Sequence, residues 1–148
     1  MTTEQDSERL LAAAKIIWLA LLGSLALYLV VGRLAAPRFA SPMSGETYAV
    51  LRTALIALGI VTLIAAKYLR RLILGAGQDR RATVPQRYAS AVIASLAMSE
   101  SVGIYGLVLY LLGKNEMDLY LLVGISAAAM FYFRPRPEEF RGLSQPGS

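Results

Sequence analysis

The chain has 148 residues, of which 56% are apolar and 17% charged, with a mean hydropathy of +0.52 and a net charge of +5. Soluble domains average about 45 to 50% apolar residues, so this composition favours a protein that is embedded in a lipid bilayer. The chain contains no cysteine and no histidine, which excludes disulfides, thiolate or imidazole metal sites and nucleophiles activated by histidine. We therefore predict no catalytic residue, no metal and no cofactor, and do not expect an enzyme.

Four apolar stretches follow one another along the chain and predict four transmembrane helices. A membrane span needs roughly 20 apolar residues at a rise of 1.5 Å per residue. The predicted helices cover residues 10–32, 47–69, 88–112 and 117–134, and residues 135–148 form a short tail. The fourth stretch is short, so a mismatch with the bilayer is expected there. The predicted fold is an all-α, polytopic membrane protein with a single four-helix domain.

The basic residues predict the orientation of these helices. With four spans, both termini and the loop between the second and third helices lie on one side of the membrane. Only Arg33, Arg38 and Lys114 lie on the other side, with Arg52 just inside the membrane. Basic residues concentrate on the cytoplasmic side of inner-membrane proteins, so both termini and the tail are predicted to be cytoplasmic. The residues on that side are Arg9, Lys15, Lys67, Arg70, Arg71, Arg80, Arg81, Arg87, Arg134, Arg136 and Arg141.

The loop between the second and third helices is rich in arginine. Its side chains are predicted to contact anionic lipid headgroups, which attract basic segments next to a membrane. Docking to an acidic partner or to a phosphate ligand is the alternative. Nucleic acid is not an expected partner, because the chain has no basic domain to bind it. The predicted headgroup residues are Arg70, Arg71, Arg80, Arg81 and Arg87.

Glu100 lies in the middle of the third predicted helix, with uncharged residues from Tyr88 to Ser99 before it and from Ser101 to Gly113 after it. An acidic residue at the centre of a membrane helix costs roughly 2.5 to 3.5 kcal/mol on an insertion scale. Desolvation disfavours the charged carboxylate, so we expect a side chain that holds a proton much of the time. The hydroxyls of Ser99 and Ser101 are candidates to bond it.

Small residues recur every four positions in the same helix. Ala91, Ser95, Ser99 and Gly103 form a stripe on one face, and small residues allow a second helix to approach closely. Ala91, Ser95 and Gly103 are therefore predicted to be helix-packing positions. Close packing along this stripe would shield the carboxyl group of Glu100 from lipid.

Three roles are open for Glu100. It can have a structural role, in which it hydrogen-bonds a neighbouring helix. It can bind a proton or a cation, or it can form a salt bridge. Arg52 is the membrane-embedded cation available for such a bridge. Arg52 can instead extend its side chain toward Glu46 or the headgroups, which makes the bridge the least favoured role.

Residues 96–108, which read Leu-Ala-Met-Ser-Glu-Ser-Val-Gly-Ile-Tyr-Gly-Leu-Val, resemble the carboxylate helix of the rotor-ring c subunit, or proteolipid, of rotary ATP synthases. In that family an ion-binding Glu is followed, four residues later, by Ile-Tyr-Gly-Leu-Val. The resemblance implies that Glu100 binds a proton or a sodium ion, with Ser99, Ser101 and Tyr105 near it. It is confined to this segment and the arginine-rich loop before it.

The tyrosines, Tyr28 and Tyr48 among them, fall mostly near the ends of the predicted helices, where aromatic side chains form interfacial belts. Helix four has a small face around Gly124, which favours homo-oligomers or membership of a membrane complex. Two functions are therefore open: a helix-packing subunit whose Glu100 takes up a proton or cation, and a purely structural, assembly or lipid-interacting membrane protein. A membrane-embedded enzyme is disfavoured by the lack of histidine, cysteine and a second buried acid.

Overall fold

The computed structural model describes residues 2–38, 44–75, 84–136 and 138, and their regular structure is helical. In chain order the α-helices are α1 (Thr2–Ala35), α2 (Gly45–Gly75), α3 (Val84–Gly113) and α4 (Glu116–Tyr132). A short 3-10 turn, Ala36–Arg38, follows α1. The all-helical prediction is confirmed.

Helix α3 is the centre of the fold, because α1, α2 and α4 all pack against it. Its buried residues Val92, Leu96, Val102 and Leu109 are 0 to 1% exposed. The contacts give the directions of the chain. Ser24 on α1 contacts Glu100 and Gly32 faces Tyr110, so α1 runs parallel to α3. Helices α2 and α4 run antiparallel to α3, as an up-and-down bundle requires.

Three helical segments are long and apolar enough to cross a membrane: Glu8–Ala35, Gly45–Gly75 and Gln86–Gly113. Large apolar side chains point outward from them, such as Val50 and Leu72, which are 72% and 69% exposed. Contact with lipid would remove this apolar surface from water. Helix α4 has 17 residues, or about 26 Å at 1.5 Å per residue, against a hydrocarbon core of about 30 Å. Its crossing of the membrane stays a prediction.

A two-residue link joins α3 and α4 into a tight antiparallel hairpin. Lys114 adopts a left-handed backbone with φ of 57°, which turns the chain directly after Gly113. Asn115 then caps α4 by accepting a hydrogen bond from the Met117 amide at 3.0 Å, as asparagine does at helix N-termini. We call this end of the bundle the hairpin end and the opposite end, where the chain leaves α4, the tail end.

Close approach of α3 and α4 depends on two glycines of α3. A Cβ at Gly106 would lie 2.9 Å from the Leu122 Cβ and 3.3 Å from the Leu119 carbonyl oxygen. A Cβ at Gly103 would lie 2.6 Å from Cδ2 of Leu25 on α1 and 3.4 Å from the Ser126 hydroxyl on α4. The small residues of α3 therefore lie where both neighbouring helices come nearest.

Candidate functional site

Glu100 faces α1. Its Oε1 accepts hydrogen bonds from the Ser24 hydroxyl at 2.5 Å and from the Tyr28 hydroxyl at 2.7 Å. The Ser24 hydroxyl also lies 2.7 Å from the Leu21 carbonyl oxygen, so its single proton is shared between two acceptors. Ser24 and Tyr28 are one helical turn apart, so both point to the same side of α1. Both donors reach one oxygen, and Oε2 accepts no hydrogen bond from the described residues.

The predicted neighbours of Glu100 have other partners. The Ser99 hydroxyl donates to the Ser95 carbonyl at 2.8 Å, and the Ser101 hydroxyl donates to the Met98 carbonyl at 2.7 Å. Serine commonly bonds its own helix in this way. Tyr105 packs with Val102 in an apolar group facing α2, because five residues at 100° each turn a side chain about 140° round the helix. The role of these three residues in ion binding stays a prediction.

The small-residue stripe is buried as a unit. Ala91 and Ser95 are 0% and 1% exposed, and Ser99 is 0% exposed. The Ser95 hydroxyl donates to the Ala91 carbonyl at 2.7 Å. Helix α4 adds a bond across the interface, from the Ser126 hydroxyl to the Ser99 carbonyl at 2.6 Å.

A second carboxylate, which is buried whereas Glu100 is only partly so, lies at the hairpin end. Asp118, in the first turn of α4, is 1% exposed. Its Oδ1 accepts a hydrogen bond from Arg52 Nε at 2.8 Å in an ion pair. Its Oδ2 accepts bonds from the Tyr48 hydroxyl and, at 3.2 Å, from the Asn115 amide. The positive end of the α4 dipole adds to this stabilisation of the negative charge.

This pair corrects three expectations. Arg52 pairs with Asp118, so the proposed bridge to Glu100 is wrong: Tyr48 and Arg52 are one turn apart on α2 and both face the start of α4. Tyr28 and Tyr48 bond carboxylates and are not only belt residues. Asp118 is a buried acid in addition to the partly buried Glu100, so the expectation that a second acid is missing from the helices is wrong.

The basic residues at the tail end divide into two groups. Arg87 is bonded within the bundle: its Nη2 donates to the carbonyls of Ile73 and Leu74, each at 3.2 Å. It thereby satisfies free carbonyl groups at the C-terminus of α2, a contact that the headgroup prediction did not include. Arg70 is half-buried and donates to the Phe133 carbonyl at 3.1 Å, whereas Arg71 is exposed. Arg80 and Arg81 lie outside the described residues.

The Glu100 and Asp118 sites differ in whether the carboxylate has a basic partner. Asp118 is bonded at both oxygens by Arg52, Tyr48 and Asn115, so its charge is already neutralised. Glu100 has no basic side chain within ion-pair distance among the described residues. Over the same ranges, no three acidic side chains converge on a point that could hold a metal ion.

The signals that the sequence contained for these sites are pairs of polar residues four apart. Ser24 and Tyr28 stand one turn apart in an otherwise apolar run, and Tyr48 and Arg52 do the same in the next helix. Such spacing places both side chains on one face, but it does not say which helix that face meets. Comparison with protein-family models, with curated proteins and with solved structures finds no match for this chain.

Proposed function

We propose that this chain is a helix-packing subunit of a membrane complex and that Glu100 reversibly binds a proton within it. The observation that carries the proposal is the unequal bonding of the Glu100 carboxyl. Oε1 is held by Ser24 and Tyr28, whereas Oε2 has no hydrogen-bond donor among the described residues. An oxygen without a donor is the one on which a proton can sit.

Glu100 lies in an apolar helix long enough to span a membrane. An acidic residue within such a helix is costly to place in lipid, so it marks a functional site by default. Hydroxyl groups donate to a carboxylate and equally to the carbonyl oxygen of a neutral carboxyl group. Ser24 and Tyr28 can therefore keep α1 on α3 in both protonation states.

The resemblance of residues 96–108 to the c subunit implies the same chemistry and stays a prediction. Sodium is the alternative ion. The hydroxyl oxygens of Ser24 and Tyr28 lie within hydrogen-bond distance of Oε1, and hydroxyl and carboxylate oxygens are suitable ligands for a hard cation.

Orientation and oligomerisation belong to the same proposal. Lys67, Arg70, Arg71, Arg134 and Arg136 lie at the tail end, and the positive-inside rule puts that end and both termini in the cytoplasm, with the chain in the inner membrane. A Cβ at Gly124 of α4 would meet no atom within 4 Å, which leaves a small face open to another helix of a complex or of a second copy.

The experiment is carbodiimide labelling of the purified protein as a function of pH, mapped by mass spectrometry. Carbodiimides react with protonated carboxyl groups, so we expect selective labelling of Glu100 that persists above neutral pH. Asp118 is the internal control and should stay unlabelled, because Arg52 holds it as a carboxylate. Protection of Glu100 by sodium chloride but not by potassium chloride would assign the site to sodium.

A structural role for Glu100 is the second candidate, favoured by the bonds from Ser24 and Tyr28 that join α1 to α3. Glu100→Gln is the control for the labelling, since the amide oxygen can accept both bonds but the amide holds no acidic proton. We expect this variant to keep the stability of the wild type and to lose all labelling at position 100. An unlabelled wild-type protein at every pH would contradict proton binding and leave the structural role.

A further inference from the structure

A cavity of about 180 Å³ opens at the tail end between α2 and the end of α4. Three of its cationic side chains come from one face of α2, where positions 67, 70 and 71 are spaced by three and four residues. The fourth comes from the segment that follows α4. No acidic residue lines this cavity among the described residues. Its walls are Lys67, Arg70, Arg71, Leu74, Tyr132, Phe133 and Arg136.

Arg70 is the fixed member of this group. Its Nη1 donates to the Phe133 carbonyl at 3.1 Å, and its guanidinium lies 5.7 Å from the centroid of the Phe133 ring. These contacts hold the inner wall of the cavity in place. Lys67 and Arg71 are exposed and form no ion pair with an acidic side chain of the described residues, so their charges are available to a ligand.

The chemistry of the cavity is that of an anion site. Guanidinium groups match the geometry of phosphate oxygens and bond them in pairs, and the lysine ammonium adds a point charge. A second cavity at the tail end, on the α1 side of the chain after α4, is lined by Lys15, Arg134 and Arg136 but also by Glu138. The carboxylate makes that cavity a poorer site for a phosphate.

The apolar surface next to the cavity identifies the ligand more closely. Ile60 and Ile64 continue the face of Lys67 and Arg71 along α2 toward the middle of the helix and are 56% and 52% exposed. Tyr132 on the other wall is 60% exposed. A charged group in the cavity would therefore lie directly beside an exposed apolar surface. An acyl chain can pack against that surface, whereas a free phosphate ion makes no contact with it.

We propose that this cavity binds the phosphate of an anionic phospholipid, with an acyl chain along Ile60 and Ile64. Basic pockets between membrane helices on the cytoplasmic side recognise anionic headgroups in this way. The site differs from a general ring of positive charge, because its cations come from both α2 and the chain after α4, which Arg70 holds together through the Phe133 carbonyl. It is independent of the proposed role of Glu100.

The test is native mass spectrometry of the full chain in detergent, titrated with phosphatidylglycerol or with phosphatidylcholine of the same acyl chains. The variant Lys67→Gln/Arg71→Gln removes two cations of the cavity. The control Arg9→Gln/Arg38→Gln removes the same charge from two exposed positions elsewhere. A parallel titration with inorganic phosphate separates a lipid site from a site for the free ion.

We expect phosphatidylglycerol to bind more tightly than phosphatidylcholine and the cavity variant to lose about 30-fold in affinity, since each basic residue near anionic lipid contributes about 1 kcal/mol and 1.4 kcal/mol is tenfold. The control should lose less than threefold. Equal losses in both variants, equal binding of the two lipids, or displacement of the lipid by millimolar inorganic phosphate would each overturn the proposal.

Discussion

Glu100 and Asp118 are both carboxylates in apolar helices, yet their hydrogen-bond partners differ in number and in charge. Asp118 is bonded at both oxygens, with Arg52 as a counter-ion and Tyr48 and Asn115 as further donors. Glu100 is bonded at one oxygen, by the neutral hydroxyls of Ser24 and Tyr28.

The difference in partners shows which of the two carboxylates has a counter-ion for its negative charge. A buried carboxylate with a cation and two further donors is stabilised in its ionised form, and removing a partner is costly. A carboxyl group with hydroxyl donors alone stays bonded whether or not it carries a proton. Asp118 therefore fixes α4 to α2 at the hairpin end, whereas Glu100 joins α1 to α3 and keeps an oxygen available.

Removing the cation at the hairpin end should have the largest effect on stability. In Arg52→Leu the Asp118 carboxylate, which is 1% exposed, loses its counter-ion. Breaking a buried pair from one side costs about 3 to 5 kcal/mol, and we expect about 3 kcal/mol because Arg52 itself is half-exposed. The measurement is reversible unfolding in detergent micelles, monitored by circular dichroism.

The same variant tests the separation of the two carboxylates. Asp118 should become reactive to carbodiimide, because the favourable state without Arg52 is the protonated one, while labelling of Glu100 stays as in the wild type. Arg52→Lys serves as the matched control, since it keeps the charge and loses only the planar donor geometry. A change in Glu100 labelling in Arg52→Leu but not in Arg52→Lys would contradict the independence of the two sites.

A methyl group at Gly106 should disturb one site and spare the other. In Gly106→Ala the new Cβ lies 2.9 Å from the Leu122 Cβ, and overpacking of this kind costs about 1 to 3 kcal/mol. We expect α4 to shift, a loss of about 2 kcal/mol in the free energy of unfolding, and increased reactivity of Asp118 but not of Glu100. Thermal unfolding and carbodiimide mapping measure both effects.

Gly23→Ala is the control for that substitution. A Cβ at Gly23 of α1 meets no atom within 4 Å, and alanine is the better helix former by about 1 kcal/mol. The variant should be as stable as the wild type or slightly more so. Equal destabilisation by both substitutions would show that the contact of α3 with α4 is not the cause.

The helices could be predicted from the sequence because each is an apolar run of the right length between charged or turn-forming residues. The bounds differ at the polar ends: α1 begins at Thr2 and α2 continues to Gly75, since polar residues can extend a helix beyond the bilayer. A hydropathy pattern indicates the length and composition of an apolar segment. It carries no information about which face of the helix packs against which neighbouring helix.

That limit explains the errors at the candidate sites. Glu100 stands out as a charge within an apolar run, but its donors lie on α1, more than 70 residues away in the chain. Neighbours in sequence, such as Ser99 and Ser101, bond their own helix instead. The burial of Asp118 follows from the approach of Tyr48 and Arg52 on α2, which no local pattern specifies.

Removing one of the two hydroxyl groups that donate to Glu100 should have the smallest effect on stability. In Tyr28→Phe the carboxyl group keeps the bond from Ser24 at 2.5 Å, so the loss is one hydrogen bond between membrane helices, about 0.6 to 1 kcal/mol. Tyr68→Phe is the matched control, because Tyr68 is 61% exposed, and it should not change the free energy of unfolding. A double-mutant cycle of Tyr28→Phe with Glu100→Leu assigns the loss to the pair, since the second substitution should abolish the effect of the first. Additive losses would mean that the Tyr28 hydroxyl acts on stability through a contact other than Glu100, and the bond between the two would then have no part in joining α1 to α3.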